Sequence, residues 1–167
     1  GTSMDKWKPD GELYSRLIGD FESAQKSAPD AKLAAMLWHQ GESDSDDKTV
    51  AEAYQAKLIR HIDAIRKDTK EENLLFIYGQ INPAKSFRGR DRFQYVDVVR
   101  KAQEELNMPN AVMIKTDDCK KNAYIHGAVG TKEEQQVPEN EDNIHYSAEG
   151  QIKMGKRLAE TYLEQIK

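Results

Sequence analysis

Three segments of strand length in this chain are almost continuously apolar, and they cover residues 33–38, 74–81 and 111–114. Such runs are typical of strands that are covered on both faces, because a strand with one exposed face would alternate polar and apolar residues. Polar segments, several of them containing Pro or Gly, bound each run. The pattern therefore restricts the fold to one in which helices cover a buried sheet on both sides.

Four other segments have the period of amphipathic helices. Their apolar positions are Leu13, Leu17, Phe21 and Ala24; then Val50, Tyr54, Leu58, Ile62 and Ile65; then Tyr95, Val99, Ala102 and Leu106; and finally Ile152, Leu158, Tyr162 and Ile166. Ser147 is placed to cap the last of these helices. Helices thus alternate with strands, and we predict an α/β fold of three layers with a parallel sheet between helices.

Length and composition fit a single domain over residues 1–167. The 38% of hydrophobic residues include no run of the roughly 18–20 apolar residues that cross a bilayer, so we expect no membrane span. The net charge of -4 argues against a nucleic-acid partner, since such proteins concentrate positive charge. Cys119 is the single cysteine and cannot form an internal disulfide, so the sequence requires no oxidising compartment and gives no localisation.

The first candidate motif is W-H-Q-G-E-S-D, residues 38–44, which directly follows a predicted strand. Ligands of open parallel sheets bind at the carboxyl ends of strands, which is where this loop would lie. Its dense polar groups could donate hydrogen bonds to a developing oxyanion. The alternative is a solvated turn whose acids favour the start of the next helix.

The second candidate motif is D-N-I-H, from Asp142 to His145, ahead of the last helix. A catalytic imidazole needs a carboxylate on its Nδ1–H to fix the tautomer and stabilise the imidazolium, and a turn can bring an aspartate three residues away to that position. The alternative is two surface residues, with Asp142 simply near a helix N-terminus.

Together these motifs resemble the SGNH hydrolase superfamily, and more closely its acetylxylan-esterase and sialate O-acetylesterase-like branch of carbohydrate esterases. In that branch the motif H-Q-G-E takes the place of the third sequence block of the superfamily, which contains an asparagine. Residues 1–7, G-T-S-M-D-K-W, also resemble the second block, G-G-T-S-x-x-x-W. The resemblance covers nearly the whole chain. It implies a flavodoxin-like fold, an acetylated carbohydrate as substrate, and no metal or organic cofactor.

Site residues follow from the resemblance by position. It implies that His145 is the general base and Asp142 its orienting carboxylate. It also implies that the Gln40 side chain and the Gly1 backbone donate to the oxyanion. The remaining expected pocket residues are Glu42, Trp38 and His39, although for Trp38 a core position is the favoured interpretation.

The chain departs from the family pattern at the nucleophile. In the family this serine lies in the first sequence block, which is a G-Q-S or G-D-S turn. No such turn precedes Gly1. We therefore expect a C-terminal portion of the fold that lacks the N-terminal strands and the nucleophile. Such a chain alone should not be an efficient esterase. We expect it to pair with the N-terminal segment or to self-associate, because one sheet edge would be exposed.

Two other nucleophiles are conceivable. Ser43 lies one residue short of a G-x-S-x-G elbow, and the order Ser43, Asp142, His145 matches that of α/β-hydrolases. The polar residues after it count against an elbow, since the next helical stripe starts only at Val50. Ser3, near the first residue, has less scaffold to position it.

Two other kinds of site also compete. The acids of residues 42–47 with His39 could suggest a cation site, but the glycine of a calcium loop is missing and helix-start acids are the simpler interpretation. A non-catalytic α/β module that binds glycans or a protein is the alternative to an enzyme. We interpret His61 as a helix-flank residue and His126 as a loop residue.

Overall fold

The computed structural model describes residues 1–87, 90–121 and 144–167. In chain order its helices are α1 Glu12–Ser27, α2 Lys48–Glu52, α3 Tyr54–Thr69, α4 Val96–Glu104 and α5 Ala148–Gln165. Its strands are β1 Ala35–Trp38, β2 Leu75–Gly79, β3 Ser86–Phe87, β4 Arg90–Asp91 and β5 Ala111–Ile114. Short 3-10 helices cover Met4–Trp7 and Glu42–Asp46.

The described part of the chain has one parallel sheet, in the order β1, β2, β5. Trp38 at the end of β1 pairs with Tyr78, and Tyr78 pairs with Met113 on β5. All five residues of β2 are buried, because this strand has a neighbour on each side and helices on both faces. A small antiparallel hairpin of β3 and β4, which the sequence did not predict, follows β2.

Successive side chains of β2 point to opposite faces of the sheet, and each face packs against its own helical layer. Phe76 and Tyr78 belong to the main core, with residues of α3 and α4 such as Leu58 and Val99. Leu75 and Ile77 pack on the other face, against α5. The three-layer α/β prediction with a parallel sheet is therefore confirmed.

The helical stripes were predicted with errors in α1, in the second stripe and in α5. In α1 the buried residue is Tyr14, while Ala24 of the predicted stripe is exposed. The second stripe spans two helices, α2 and α3, which are separated at Ala53. In α5 the residues that pack on the sheet are Met154, Leu158 and Tyr162, while Ile152 and Ile166 are exposed. The predicted cap is confirmed, since Ser147 Oγ accepts the N–H of Gly150 at 3.1 Å.

Strand β1 forms one edge of this sheet. Leu37 on this strand is 52% exposed, although it is a large apolar residue. An apolar groove lies beside it, lined by Ala35, Leu158 and Tyr162 among others. None of the helices that the structure describes is long and apolar enough to span a bilayer.

Candidate active site

The first residues of the chain lie against the loop that follows β1. Both carboxylate oxygens of Asp44 accept the backbone N–H of Met4, each at 3.0 Å. The Gln40 amide donates to the same carboxylate, and to the carbonyl oxygen of Thr2 at 2.9 Å. Burial raises the pKa of Asp44, against the opposing effect of these hydrogen bonds. One buried carboxylate thus links residues 1–7 to the loop that contains the H-Q-G-E motif.

Gly41 allows the loop to turn directly after Gln40. Its φ of 148° is a conformation that favours glycine, and a Cβ there would lie 3.0 Å from Ile81 and from Val99. The Tyr54 hydroxyl donates to the Gln40 carbonyl at 2.7 Å. Burial raises the pKa of Tyr54, so this hydroxyl stays protonated and remains a donor. The short 3-10 helix Glu42–Asp46 starts from this fixed turn.

A cavity of about 650 Å³ opens beside this loop. It lies where β1 ends, which is the edge of a parallel sheet where ligands bind. Its polar lining includes His39, Glu42, Ser43 and His145, with Gly1 beside them. Its apolar lining includes Phe93, Ile144 and Met154. The cavity therefore combines titratable groups with an apolar surface, as small-molecule sites commonly do.

His39 is held in one tautomer by the end of β2. Its Nδ1 lies 3.2 Å from the carbonyl oxygen of Gly79, and since a carbonyl only accepts, Nδ1 carries the proton. A Cβ at Gly79 would come within 2.5 Å of that Nδ1, so a side chain there would displace the ring. Nε2 lies 3.7 Å from Glu42 Oε1 and has no hydrogen-bond partner in the described part of the chain. His39 and Glu42 thus present two acceptors side by side.

His145 precedes a residue that is anchored on the sheet. The Tyr146 hydroxyl and Thr116 Oγ1 are 2.8 Å apart, and Tyr146 also pairs with Lys121 in an isolated antiparallel bridge. Burial raises the pKa of Tyr146 to about 12. The His145 side chain is exposed and lines the cavity. The anchor at Tyr146 therefore fixes where the preceding histidine enters the site.

Arg92 and Phe93 contribute to the cavity from the chain after β4. Asp46 Oδ1 accepts the Phe93 N–H at 2.9 Å and Arg92 Nε at 3.3 Å, and Oδ2 accepts Arg92 Nη2. Burial of Asp46 opposes ionisation, but the bonds from Arg92 and Phe93 together lower its pKa. Phe93 is buried with φ of 58°, a strained conformation for a bulky residue, and the guanidinium lies 4.7 Å from its ring centre.

The geometry described so far can be compared with known proteins. A family described as carbohydrate esterase, sialic acid-specific acetylesterase, matches residues 1–164. The chain belongs to this family. The resemblance found in the motifs is thereby confirmed at the level of sialate acetylesterase-like carbohydrate esterases.

Individual relatives agree with this family. A probable carbohydrate esterase of Arabidopsis thaliana is 31% identical over 163 residues, which are 98% of this chain and 52% of the relative. An X-ray structure of an Arabidopsis thaliana protein has a TM-score of 0.74 at 29% identity, covering 98% of this chain and 57% of that one. The crystal structure of NanS has a TM-score of 0.64 at 18% identity over 95% of this chain and 54% of NanS, a likeness of fold. The chain spans about half the length of the curated relative it matches.

Within this carbohydrate esterase fold, most of the predicted site residues come together. His145, Glu42, His39 and Gly1 line one cavity. Asp142 lies outside the described residues, as does His126, so the Asp142–His145 pair stays a prediction. Gln40 is used otherwise: its amide hydrogens bond Thr2 and Asp44. The role of Gln40 as an oxyanion donor stays a prediction. It requires the Gln40 amide to give up one of these two hydrogen bonds.

Trp38 and His61 belong to the main core beside β1 and β2. Trp38 is buried, with Trp7 packed edge-on at 5.1 Å between ring centres. His61 lies 4.5 Å from the Trp38 ring, and its Nδ1 donates to the Trp7 carbonyl at 3.1 Å. Its interpretation as a helix-flank residue is wrong, because its side chain is 1% exposed. Burial lowers its pKa to about 4.

The acids after the H-Q-G-E motif have separate structural roles. Asp44 is buried, Asp46 pairs with Arg92, and Asp47 caps α2 by accepting the Val50 N–H at 3.0 Å. The interpretation as helix-start acids is therefore right for Asp47 and wrong for Asp44. Within residues 1–87, 90–121 and 144–167, no three His, Cys, Asp or Glu residues are grouped so that they could hold a metal ion.

Ser43 lies in the cavity, but its backbone differs from that of a nucleophile elbow. It sits in a 3-10 helix, and among the described non-glycine residues only Lys70, Phe93 and Asn110 have positive φ. An elbow is a sharp, strained turn between a strand and a helix.

Sequence reasoning missed Arg92 and Phe93. No apolar periodicity or motif marks these two residues. They reach the cavity through their contact with Asp46, which lies 46 residues before Arg92 in the chain.

Proposed function

We propose that the chain takes part in a serine-type carbohydrate esterase that removes acetyl groups from sugars. The observation that carries the proposal is that His145 shares one cavity with His39, Glu42 and Gly1, at the edge of the sheet where β1 ends. The family itself supports an ester substrate on a carbohydrate.

In this proposal His145 acts as general base and Asp142 orients its ring. A serine hydroxyl attacks the acetyl carbon while His145 takes the hydroxyl proton. The tetrahedral oxyanion accepts hydrogen bonds from backbone N–H groups and from Gln40 once that amide has left Thr2. The bond to the sugar oxygen then breaks, and the His145 proton goes to that oxygen. Water then attacks the acyl-enzyme by the same steps, with His145 again taking the proton, and acetate is released.

The nucleophile is the part of the proposal that the family resemblance supplies. The first-block serine would come from a segment that pairs with this chain, or from a second chain. The cavity is open beside Gly1 and Ser43, which is where that block would have to arrive to meet His145. No metal or organic cofactor is needed for this reaction.

Ser43 offers a second route, because it lines the same cavity as His145. Against it stands the 3-10 backbone, which lacks the strain of an elbow.

The test is hydrolysis of a small chromogenic acetyl ester by the chain and by its His145→Ala and Ser43→Ala variants. Loss of at least about a hundredfold in His145→Ala alone supports the base assignment and a serine other than Ser43. Loss in both variants assigns Ser43 as nucleophile. Activity that survives His145→Ala overturns the proposal.

An inert chain calls for the same assay on the product of the full reading frame. Activity there that depends on His145 supports the proposal. A full-length product that is inert towards chromogenic and sugar acetates, but binds the sugar, identifies a glycan-binding module instead.

A further inference from the structure

The carboxyl end of β2 lies between the two segments that bring histidines to the cavity. The Gly79 carbonyl faces the segment after β1 and accepts the Nδ1–H of His39 at 3.2 Å. The carbonyl of the next residue, Gln80, faces the segment after β5 and accepts the Thr116 hydroxyl at 2.6 Å. Gln80 and Thr116 are both buried. This end of β2 therefore contacts both segments through two successive carbonyl groups.

The single proton of the Thr116 hydroxyl sets the direction of the hydrogen bonds that continue from it. A hydroxyl group donates one hydrogen bond and can accept two, while a carbonyl oxygen only accepts. Because the Thr116 proton is used on the Gln80 carbonyl, the Tyr146 hydroxyl, 2.8 Å from Thr116 Oγ1, is the donor of the second bond. Burial raises the pKa of Tyr146 to about 12, so this proton is in place at neutral pH. The bonds thus run in one direction, from Tyr146 through Thr116 to Gln80.

Tyr146 contacts one histidine of the cavity and adjoins the other. Its ring centre lies 5.5 Å from that of His39, and it directly follows His145 in the chain. The backbone here is held separately, by the antiparallel bridge between Tyr146 and Lys121. That bridge sets the path of the chain but not the rotamer of the Tyr146 ring. The bond to the Thr116 hydroxyl therefore fixes the ring beside His39.

We propose that Thr116 is a positioning residue for the cavity, which sets the placement of the His39 and His145 rings relative to each other through Tyr146. The inference rests on the proposed function, in that it takes His145 as the general base. Thr116 is buried and is not among the described residues that line the cavity, so it acts only through Tyr146. A base that is displaced from its reacting geometry lowers kcat and leaves ground-state binding largely unchanged.

Two substitutions separate the hydroxyl of Thr116 from its methyl group. Thr116→Val keeps the shape and removes the hydroxyl, whereas Thr116→Ser keeps the hydroxyl and removes the methyl group. The readout is the NMR signal of the Cε1–H group in each imidazole, assigned with the His39→Ala and His145→Ala variants, so hydrolysis is not required. Tyr14→Phe is the matched control, because it also removes the hydroxyl of a buried tyrosine, which donates to Asp68 at 2.7 Å from α1.

Thr116→Val should shift the signals of both histidines, because the buried Tyr146 hydroxyl loses its acceptor and the ring has to move to find another. Tyr146→Phe should shift them less, since Thr116 then keeps its own bond to Gln80. Thr116→Ser and Tyr14→Phe should keep the wild-type positions. In the product of the full reading frame, kcat for a chromogenic acetyl ester should fall about tenfold in Thr116→Val, with KM within about twofold of the wild type. Thr116→Ser should restore kcat.

The inference is overturned if Thr116→Val leaves both histidine signals in place, or if Thr116→Ser or Tyr14→Phe shifts them as far as Thr116→Val does. If Thr116→Val does not fold, Tyr146→Phe replaces it, because it leaves no buried donor unpaired; unchanged signals in that variant overturn the inference.

The esterase proposal is tested separately. An inert full-length product whose histidine signals depend on the Thr116 hydroxyl refutes the esterase and keeps the positioning role. An active product whose kcat is unchanged in Thr116→Val keeps the esterase and refutes that role.

Discussion

Met4 and Asp44 are forty residues apart in the chain, and the Met4 backbone N–H lies 3.0 Å from both carboxylate oxygens of Asp44. The same carboxylate accepts the Gln40 amide. A fully buried carboxylate is costly to place and is tolerated here because donors from two segments meet it. This side chain therefore joins the first residues of the chain to the loop that lines the cavity.

Replacing Asp44 with alanine should release the first residues of the chain. The change leaves the Met4 N–H and the Gln40 amide without their acceptor, and we expect unfolding free energy to fall by about 2–4 kcal/mol. Urea denaturation measures the loss, and hydrogen exchange at the Met4 amide should become faster. Asp47→Ala is the control: it removes only the cap of the short helix α2 and should cost about 1 kcal/mol. Equal losses in the two variants would contradict the role of Asp44.

The buried His61 should make the fold less stable in mild acid. Its pKa is lowered from 6.5 to about 4 by burial, so between these values the unfolded chain binds a proton that the folded chain does not. Stability due to this group is therefore complete above about pH 6.5 and is lost as pH falls towards 4. The loss amounts to roughly 3 kcal/mol.

Urea denaturation at several pH values checks this prediction. In His61→Gln the donor to the Trp7 carbonyl can be kept while the titration is removed. The variant should be less stable than the wild type at pH 7, and its stability should change less between pH 6.5 and 4. A variant with the full wild-type slope would assign the acid sensitivity to other groups.

The ring of His39 should be protonated on Nδ1 whenever it is neutral. The Gly79 carbonyl at 3.2 Å accepts a bond from that nitrogen and thereby fixes the tautomer. Long-range ¹H–¹⁵N spectra distinguish the two nitrogens by their chemical shifts. His61 serves as an internal comparison, since its Nδ1 likewise donates to a backbone carbonyl. A neutral His39 protonated on Nε2 would show that the ring is turned relative to this structure.

The edge of the sheet at β1 should support self-association. Leu37 is 52% exposed on this edge strand and lies beside the apolar groove lined by Leu158 and Tyr162. Exposed edges and apolar patches of this kind favour pairing with another chain. Sedimentation should detect concentration-dependent association of the wild type, and Leu37→Lys should shift it to the monomer. Exposed Ile166→Lys, at the end of α5, is the comparison, and an equal effect would place the contact elsewhere.

Local sequence patterns predicted the layers well, for reasons visible in β2 and α5. A run such as Leu75–Gly79 is apolar throughout because both faces are covered, and Ser147 caps α5 through its own neighbours. Periodicity alone was less reliable within α5, where Ile152 fits the apolar stripe as well as Met154 does. Only the position of the sheet decides which of them is buried.

The candidate site was predictable where sequence motifs mark its residues, and not where contacts between distant residues build it. His39, Glu42 and His145 were found from their motifs and line the cavity. The burial of Asp44 depends on the Met4 N–H, and the place of Arg92 depends on Asp46. Neither partner can be read from neighbouring residues, because each lies about forty or more positions away in the chain.

Gly79 has a practical consequence for anyone who reshapes this protein. It stands behind the His39 ring, where a Cβ would come within 2.5 Å of Nδ1 and 3.3 Å of the Thr116 methyl group. A library that varies the cavity lining should therefore hold position 79 constant. Any larger side chain there would displace the imidazole, so a substitution at position 79 would also change the cavity lining at His39.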